Sequence, residues 1–413
     1  MKPHIHYHSD CIFFAGCENM LANFFNDGEL ARNYRLTFSY RHTPEYEEGF
    51  RSRVKTEMQT YPLHLLDFTE TLNRLQMNWL KVLFMTGYHL LLKYLCILWN
   101  TVTLFLLFGK DKIDILHINN GGYPGAYSCM AAVLAARIRG IPTVIYVVNN
   151  IATPYSRMSR WLDYLPDRLV VGGVTKFICG SVPATLALQQ VLGLNMDQVV
   201  NLPNGIAPRQ VTETKTQVLE RLGLSEDRFY FGIVAILEER KGHKYLLEAM
   251  QLVKNKRLVT KTPVLLIEGT GIMEQQLKEF VQQAGLIDDV KFIGTESQVF
   301  NLMNAVDAIV LPSVANEDFP NVILEAMSLG KPVIASKLSG IPDQIEHEES
   351  GILVEPRDIE GLANAIVKIV QNKELSTKIS RNALERFNKL FSASVAVKRY
   401  NLLYNQMFER GAA

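Results

Sequence analysis

The sequence lacks the features that mark several classes of protein. Its five cysteines include no Cys-x-x-Cys pair, which favours buried thiols in a reducing compartment over a disulfide framework. Lysine and arginine (43) almost balance aspartate and glutamate (42), and no basic block indicates nucleic-acid binding. The first residues have neither the basic start nor the apolar core of a signal peptide. We therefore expect a cytoplasmic protein that has no nucleic acid as a partner.

Sequence patterns for metal binding are also scarce. No Asp-x-Asp occurs, and no group of histidine, cysteine and carboxylate residues has ligand spacing. His4, His6 and His8 could share one face of a first strand and bind a metal, but incidental histidines in a strand are the favoured interpretation. We therefore expect chemistry that needs no metal ion and no other cofactor.

The chain has the size and composition of a two-domain enzyme. It has 413 residues, 48% of them hydrophobic, and a formal net charge of +1. From Phe229 to Val354 strand-like and helical runs alternate, which predicts right-handed crossovers and a parallel, doubly wound α/β sheet. The predicted strands are 229–237, 263–268, 289–293, 306–311, 332–336 and 351–354, and the predicted helices are 242–254, 272–285, 296–304, 321–329 and 358–371.

The first half of the chain shows the same alternation less clearly. Its predicted strands are 4–7, 34–39, 113–118, 142–148, 175–179 and 198–202. Asn204-Gly205, followed by the polar segment 209–216, has the composition of a hinge between two domains. We therefore predict two α/β domains, each with a doubly wound sheet.

The most informative stretch runs from Glu317 to Glu325. The strand before it ends at Pro312-Ser313, and Pro320 suits the first turn of the helix that follows. Glu317 is therefore predicted in the loop after the strand, and Glu325 about a turn and a half inside the helix. In an open parallel sheet ligands bind at the carboxyl ends of strands, and a helix start favours an anion such as a diphosphate.

This stretch resembles the signature of glycosyltransferase family 4, in which two glutamates separated by seven residues occur in retaining nucleotide-sugar transferases. The resemblance is strong over 229–371 and weak over 1–205, and it implies the GT-B fold, in which two Rossmann-like domains face a deep cleft. The neighbouring motifs that follow the family order are Leu311-Pro312-Ser313, Glu325-Ala326-Met327, Gly330-Lys331-Pro332-Val333, Gly340-Ile341-Pro342-Asp343 and Gly351-Ile352-Leu353-Val354.

The resemblance also implies a role for each domain. Residues 1–205 would form an acceptor-binding domain, with a last helix at about 392–409 that packs back on it. Residues 206–391 would bind the nucleotide sugar, and Asn204-Gly205-Ile206 matches the family's interdomain motif.

The two glutamates suit different parts of the donor. A carboxylate such as Glu325 can accept two hydrogen bonds from a ribose diol, and the family gives this role to its second glutamate. By resemblance Glu317 faces the sugar, with the loop amides around Phe319, Pro320 and Asn321 near sugar hydroxyls and phosphate.

Two cations are candidates for stabilising the departing diphosphate. Lys241 precedes a glycine at the end of a strand, so its ammonium can lie against phosphate oxygens. The family pattern also has an arginine where this chain has Ile236, and Arg240 is the candidate for that second charge. We therefore predict catalytic roles for Glu317, Lys241 and Arg240.

Motif order supplies further donor-binding candidates. Gly269 and Gly271 match a Gly-x-Gly that lets the backbone approach a ligand, and Ile293 lies in the segment whose backbone contacts the base. Asn149 or Asn150 replaces a family histidine that contacts the donor sugar. An amide cannot act as an acid or base near neutral pH, so no general base is assigned.

Two loops of the first domain are candidates for acceptor binding. Ala15-Gly16-Cys17-Glu18 resembles the family's early Gly-Gly-x-Glu loop, with Ala15 in place of the first glycine, so Gly16 is one candidate. Asn120 and Gly121 follow the predicted strand 113–118 and border the expected cleft. An ordinary turn between a strand and a helix is the alternative interpretation of the second loop.

Residues 79–108 depart from the family pattern. They are rich in Leu, Phe, Tyr and Trp, but interruptions such as Gly87 and Lys93 argue against a membrane-spanning helix. The alternatives are a helix pair packed on the core, an oligomer interface, or a helical hairpin that enters one leaflet. The lipid-facing side chains in that last hypothesis are Leu90, Leu91, Tyr94, Leu98, Thr101 and Phe105, with an apolar end at Leu104, Leu106, Leu107 and Phe108.

The resemblance implies a retaining, metal-independent, hexosyltransferase-type glycosyltransferase. Its expected partners are a nucleoside diphosphate sugar and a saccharide or lipid-linked saccharide acceptor. Its expected setting is bacterial surface polysaccharide biosynthesis (O-antigen, lipopolysaccharide or capsule), at the inner face of the cytoplasmic membrane. A disaccharide synthase or phosphorylase of the same fold and a catalytically silent subunit are the alternatives, which donor hydrolysis and acceptor assays would distinguish.

Overall fold

The computed structural model describes residues 2–14, 16–67, 87 and 91–412. The chain divides into two compact units, the first comprising residues 1–204 and 396–413 and the second residues 205–395. Each unit has one parallel sheet whose strands are connected mainly through helices, which confirms the predicted α/β fold class.

The first unit is built on a seven-stranded sheet. Its strands are β1 His4–Ser9, β2 Arg35–Arg41, β3 Gln59–Leu63, β4 Ile115–Asn120, β5 Thr143–Val148, β6 Lys176–Cys179 and β7 Val199–Asn201. Its helices are α1 Asn19–Asn26, α2 Gly28–Asn33, α3 Pro44–Arg53, α4 Lys93–Phe108, α5 Tyr127–Arg139, α6 Met158–Trp161, α7 Tyr164–Val171 and α8 Val182–Leu192. The strand order is β3-β2-β1-β4-β5-β6-β7, so the winding direction reverses between β1 and β4.

The second unit is built on a six-stranded sheet. Its strands are β8 Tyr230–Val234, β9 Val264–Glu268, β10 Val290–Gly294, β11 Ala308–Leu311, β12 Val333–Ser336 and β13 Ile352–Val354. Its helices are α9 Lys215–Leu222, α10 His243–Asn255, α11 Glu274–Gln283, α12 Val299–Ala305, α13 Asn321–Ser328, α14 Ile341–Gln344, α15 Ile359–Gln371 and α16 Lys373–Leu390, and α17 Ala393–Ala412 follows. The order β10-β9-β8-β11-β12-β13 reverses between β8 and β11. Ligands of such sheets bind beside the carboxyl ends of the strands at this reversal.

One strand of the first sheet was absent from the sequence predictions. Strand β3 was not predicted, because it is a half-exposed edge strand that contains Pro62 and gives a weak strand pattern. The second unit begins at Gly205, and in the segment 209–216 the amides of Thr212 and Glu213 donate to Asn301 Oδ1 at 2.8 and 3.3 Å. That side chain fastens the segment to the second unit.

The alternating histidines of β1 do lie on one face of the strand, but hydroxyl groups of β2 bond their rings. Thr37 Oγ1 lies 2.8 Å from a ring nitrogen of His4 and 2.7 Å from one of His6. Ser39 Oγ lies 2.9 Å from ring nitrogens of both His6 and His8. Burial lowers the pKa of His6 well below its usual value and the pKa of His8 to about 4. Both ring nitrogens of His6 have hydroxyl partners, which fits the incidental interpretation better than a metal site.

Buried neutral histidines predict acid sensitivity of the first unit. Burial lowers the pKa of His117 to about 3, and its Nδ1 lies 2.8 Å from the hydroxyl of Tyr404 in α17. The unfolded chain binds protons near pH 6.5, so the stability from neutral His117 is present above that pH and is lost as pH falls towards 3. We expect the free energy of unfolding to fall by about 1.4 kcal/mol per pH unit for this group.

Denaturant unfolding between pH 7.5 and 5, in the wild type and in His117→Gln, measures this contribution. The variant should lose stability less steeply as the pH falls, because glutamine has no proton to bind. Equal slopes in the two proteins would contradict the prediction.

In helix α4, several side chains that were predicted to face lipid within 79–108 are buried. Leu104, Leu107 and Phe108 are buried in the core of the first unit, and Phe105 packs against that core. Residues 79–86 and 88–90 lie outside the described part of the chain. Leu91, Leu98 and Leu106 are exposed as predicted, and the other exposed apolar side chains are Leu92, Leu95, Trp99 and Val102. Both faces of α4 are apolar, so periodicity alone could not identify the outer one. Within the described residues, no helix is long and apolar enough to cross a bilayer.

Candidate active site

The reversal of the second sheet brings two predicted loops together. The loop after β8 contains Lys241, and the loop after β11 contains Glu317. The two loops are joined by a backbone hydrogen bond, in which the Val314 amide donates to the Arg240 carbonyl at 2.8 Å. Residues far apart in the sequence thus share one edge of the sheet.

Lys241 and Glu317 form an ion pair at this edge. The distance from Lys241 Nζ to Glu317 Oε2 is 2.5 Å, and the side chains are only 13% and 11% exposed. Ser313 Oγ donates to the same carboxylate oxygen at 2.9 Å. The sequence predicted both charged groups near the donor but not their pairing. Each now fixes the position of the other, and Lys241 supplies a positive charge in a partly dehydrated place.

A glycine makes this close approach possible. Gly242 has a φ of +74°, and a Cβ atom there would lie 1.9 Å from the carbonyl oxygen of Pro312. Any larger residue would push the two loops apart and separate Lys241 from Glu317. Lys241 therefore supplies the positive charge, and Gly242 allows the close approach of the two loops that positions it.

Arg240 lies beside the pair, but its guanidinium already has partners. Its Nε donates to Glu238 Oε2 at 2.7 Å, and its Nη1 donates to the carbonyl of Asn316 at 3.3 Å. A role in diphosphate binding would require this side chain to exchange Glu238 for a phosphate. The structure thus places Arg240 near the site with its charge partly neutralised.

Glu325 lies in the second turn of α13, as predicted. Burial raises the pKa of its carboxyl group; the charge of Arg209 opposes this shift, and the nearby Glu268 adds to it. Sequence reasoning missed Arg209, whose guanidinium lies 5.3 Å from the ring centre of Phe300. Arg209 follows Asn204-Gly205 by only a few residues, and no sequence pattern there indicated that its charge would act on Glu325.

The residues before α13 are buried and shape the start of the helix. Phe319 is 8% exposed, and its ring centre lies 5.7 Å from that of Phe391. The Pro320 carbonyl accepts a hydrogen bond from Gln344 Nε2 at 3.1 Å. Phe319 is therefore a packing residue, and a ligand contact at Phe319 or Pro320 would come from the backbone.

Gly269 and Gly271 allow protein backbone segments to approach each other. A Cβ atom at Gly269 would lie 2.2 Å from the Ala235 carbonyl oxygen, and one at Gly271 would lie 2.5 Å from that of Leu237. Ile293 packs partly buried against the core beside a register shift in β10. Gly269 and Gly271 therefore allow the loop after β9 to lie against the loop after β8, whereas Ile293 lies within β10.

In the first unit, a buried carboxylate lies where the sheet reverses. Glu18 is fully buried and accepts hydrogen bonds from Ser9 Oγ at 2.7 Å and Asn119 Nδ2 at 3.3 Å. Burial raises the pKa of Glu18. Asn149 Nδ2 donates to Asn119 Oδ1 at 2.9 Å, and Asn204 Nδ2 donates to Asn149 Oδ1 at 3.1 Å. Asn149 is thus part of a chain of hydrogen bonds that reaches Glu18. The sequence analysis assigned no role to Glu18.

The two acceptor candidates after β4 differ in accessibility. Asn120 is buried, and its Nδ2 donates to the Pro124 carbonyl at 2.9 Å and to the Tyr146 hydroxyl at 2.7 Å. Its side chain therefore shapes the loop, as in the ordinary-turn alternative. Gly121 and Gly16 are exposed and stay candidates for contact with an acceptor.

Cys11, Cys17 and Glu18 form a group that spacing along the sequence did not reveal. The two sulfur atoms are 3.8 Å apart, and the three potential ligand atoms lie within 4.8 Å of one another. The expectation that the chemistry needs no metal ion stays a prediction. Both cysteines are free thiols.

Comparisons with known proteins identify the class of enzyme. Residues 214–386 match the family described as Glycosyl transferases group 1. The chain is 26% identical over 318 residues to the UDP-Gal:alpha-D-GlcNAc-diphosphoundecaprenol alpha-1,3-galactosyltransferase of Escherichia coli, covering 75% of this chain and 79% of the relative. It is also 26% identical to the capsular polysaccharide biosynthesis glycosyltransferase CapM of Staphylococcus aureus, covering 74% and 80%.

A solved structure extends the comparison to the whole fold. Anabaena HepE in complex with UDP and glucose superposes with a TM-score of 0.73 at 18% identity, covering 98% of this chain and 100% of HepE. The family match covers most of the second unit, and both relatives are glycosyltransferases. The two parallel α/β units fit this class of enzyme. The chain is a glycosyltransferase with the GT-B fold.

Proposed function

We propose that this glycosyltransferase belongs to family 4 and transfers a sugar from a nucleoside diphosphate sugar to a saccharide hydroxyl, with retention of configuration and without a metal ion. The observation that carries the proposal is the Lys241–Glu317 pair, 2.5 Å apart at the reversal of the second sheet. Glu325 follows eight residues after Glu317 on the helix that begins at the same edge. The three side chains supply a cation and two carboxylates at the predicted donor site.

Each residue has a part in the proposed reaction. Glu325 accepts hydrogen bonds from the ribose, and backbone amides at the start of α13 bind phosphate. Lys241, positioned by Glu317, stabilises the negative charge that grows on the leaving oxygen of the diphosphate. Glu317 then faces the sugar. The acceptor hydroxyl attacks the anomeric carbon from the face that the diphosphate leaves, the bond to the diphosphate breaks, and the hydroxyl proton passes to the departing diphosphate oxygen, so the anomeric configuration is retained.

The relatives support the proposed substrates. The Escherichia coli enzyme has UDP-galactose and a diphosphoundecaprenol-linked sugar in its name, and the HepE structure contains UDP and glucose. We propose a nucleoside diphosphate sugar as donor and a lipid-linked saccharide as acceptor in bacterial surface polysaccharide assembly. A thermal-shift panel of nucleoside diphosphates and their sugars tests the donor, because a ligand at a hundred times its Kd stabilises by roughly 2.7 kcal/mol. Absence of any stabilisation across the panel would contradict the proposal.

We expect transfer to continue at an unchanged rate in excess chelator. The reason is that Lys241 and the amides of α13 are proposed to meet the leaving-group charge that a metal ion meets in other transferases. Steady-state rates with and without chelator, followed by addition of Mg²⁺ or Mn²⁺, measure this. Loss of activity that either ion restores would show that the proposed charge compensation is incomplete.

We further propose that the enzyme acts at the inner face of the cytoplasmic membrane as a peripheral protein. The exposed apolar face of α4, from Leu95 to Leu106, supports this location. A lipid-linked acceptor keeps its reacting hydroxyl close to the bilayer, so an enzyme that binds there meets its substrate more often.

A further inference from the structure

Two thiols and a carboxylate meet beyond the end of β1 in the first unit. Cys11 follows this strand, and Cys17 and Glu18 lie in the single 3₁₀ turn Gly16–Glu18 that precedes α1. One potential ligand atom from each of the three side chains lies within 4.8 Å of the other two. Both cysteines are only half-buried, so an ion from solution can reach their sulfur atoms. Among the described residues, no other three cysteine, histidine or carboxylate side chains come this close.

The distances within this group are those of ligands around one metal ion. The sulfur atoms of Cys11 and Cys17 are 3.8 Å apart, and Cys17 Sγ lies 3.9 Å from Glu18 Oε1. In a tetrahedral zinc site with Zn–S bonds of about 2.3 Å, two sulfur ligands are about 3.8 Å apart. Thiolate ligands favour zinc and other thiophilic ions over magnesium and calcium, which prefer oxygen ligands alone.

The carboxylate of this group is buried without a cationic partner. Glu18 is fully buried and accepts hydrogen bonds from Ser9 Oγ at 2.7 Å and from Asn119 Nδ2 at 3.3 Å. Arg41, on the neighbouring strand β2, forms its ion pair with Asp10. The described residues thus give Glu18 hydrogen bonds but no ion pair. A buried carboxylate without a positive charge is costly, and a metal ion at this position supplies that charge.

A buried hydroxyl beside the group gives an independent indication of a ligand. Tyr46, in α3, is fully buried, and its hydroxyl has no hydrogen-bond partner of normal geometry among the described residues. Burial raises the pKa of Tyr46, and the charges of Glu18, Cys11 and Cys17 raise it further, so these groups are neighbours. Buried polar atoms rarely lack a partner, and a water molecule held by an ion would provide one for this hydroxyl.

We propose that Cys11, Cys17 and Glu18 bind one zinc ion through two thiolates and a carboxylate oxygen, with water in the fourth position. Zinc takes the place of the two thiol protons, which pass to solvent. Asn119 Nδ2 donates to the Cys17 carbonyl at 3.3 Å as well as to Glu18, and so orients two of the ligands.

The bound ion joins both ends of the segment 11–17, which contains Gly16, a candidate acceptor contact. Transfer is expected to continue at an unchanged rate in excess chelator, so we assign the ion to the stability of this segment and not to bond breaking. The proposal therefore does not depend on the proposed function.

Zinc binding to the chelator-treated full chain, under reducing conditions and in competition with a colorimetric zinc indicator, tests the site. We expect one equivalent to bind with a Kd of about 1 μM or tighter. Cys11→Ala and Cys17→Ala should each weaken binding about 100-fold or more, because each removes a ligand. Co²⁺ in place of zinc should give the absorption band of thiolate-to-metal charge transfer in the wild type. This band reports the sulfur ligands without any substitution.

Cys96→Ala is the matched control, because it removes a thiol of the same unit that is buried on α4. It should bind zinc like the wild type. Melting curves without metal show whether each variant is folded, and zinc should raise the melting temperature of the wild type and of Cys96→Ala but not of Cys17→Ala.

Three results would overturn the proposal: a wild type that binds no zinc, a cobalt spectrum without the thiolate band, or equal loss of binding in Cys96→Ala. All of these measurements omit the donor and the acceptor, so a failure of the proposed donor site would not affect them.

Discussion

Replacing Lys241 with alanine should lower kcat by about 10²–10³-fold, with a smaller rise in the KM for the donor. Removing one preorganised contact to charge that develops in a transition state typically has an effect of this size. The structure adds a reason for a large effect, because Lys241 is also the partner of Glu317 at 2.5 Å. Its loss leaves that carboxylate in a partly buried place without a cation. Steady-state kinetics with varied donor concentration measure both parameters.

The neighbouring lysine provides the control for this experiment. Lys244 is on the same helix start, but its side chain is 58% exposed, and its ammonium lies 3.9 Å from Glu248. Lys244→Ala should leave kcat unchanged. A Lys241→Ala variant in which only KM rises would mean that the lysine binds ground state and transition state equally, and the catalytic role would be wrong. Combining the change with Glu317→Gln separates the loss of positive charge from the exposure of an unpaired carboxylate.

Replacing Glu325 with alanine should weaken donor binding about 10- to 100-fold. This range follows from the ~1.5–3 kcal/mol of a hydrogen bond to a charged group. Calorimetric titration with the nucleoside diphosphate measures it, and Glu279→Ala, which changes an exposed glutamate on α11, is the control. Unchanged affinity in a folded Glu325→Ala protein would remove Glu325 from the ribose site.

The pH dependence of binding gives a second test of Glu325. Burial raises the pKa of this carboxyl group, so it takes up a proton at a higher pH than an ordinary glutamate. The ionised form is the better acceptor for a ribose diol, so donor affinity should fall as the pH falls through the raised pKa. Glu325→Gln should bind more weakly but without this dependence. If wild type and Glu325→Gln lose affinity in parallel, another group is responsible.

The sequence by itself determined the fold class, and it assigned Lys241 and Glu317 to one edge of the second sheet. Short apolar runs indicate the strands, and amphipathic stretches between them indicate the helices. Breaker pairs such as Pro312-Ser313 mark where a strand ends. Because parallel strands end at a common edge, Lys241 and Glu317 could be assigned to that edge without coordinates. The half-exposed edge strand β3 was missed because it lacks the apolar run of a buried parallel strand.

Only the tertiary structure decided which polar groups meet and which faces remain exposed. The ion pair of Lys241 with Glu317 spans 76 positions, and the hydrogen bond from Asn119 to Glu18 spans 101, so no local pattern reports them. Asn120 was predicted to contact an acceptor, but its side-chain amide donates hydrogen bonds to other groups of the first unit. Helix α4 is apolar all round, so its period identifies a helix but not its outer face. That choice depends on which side chains the sheet and α5 cover, and a linear sequence does not encode that contact locally.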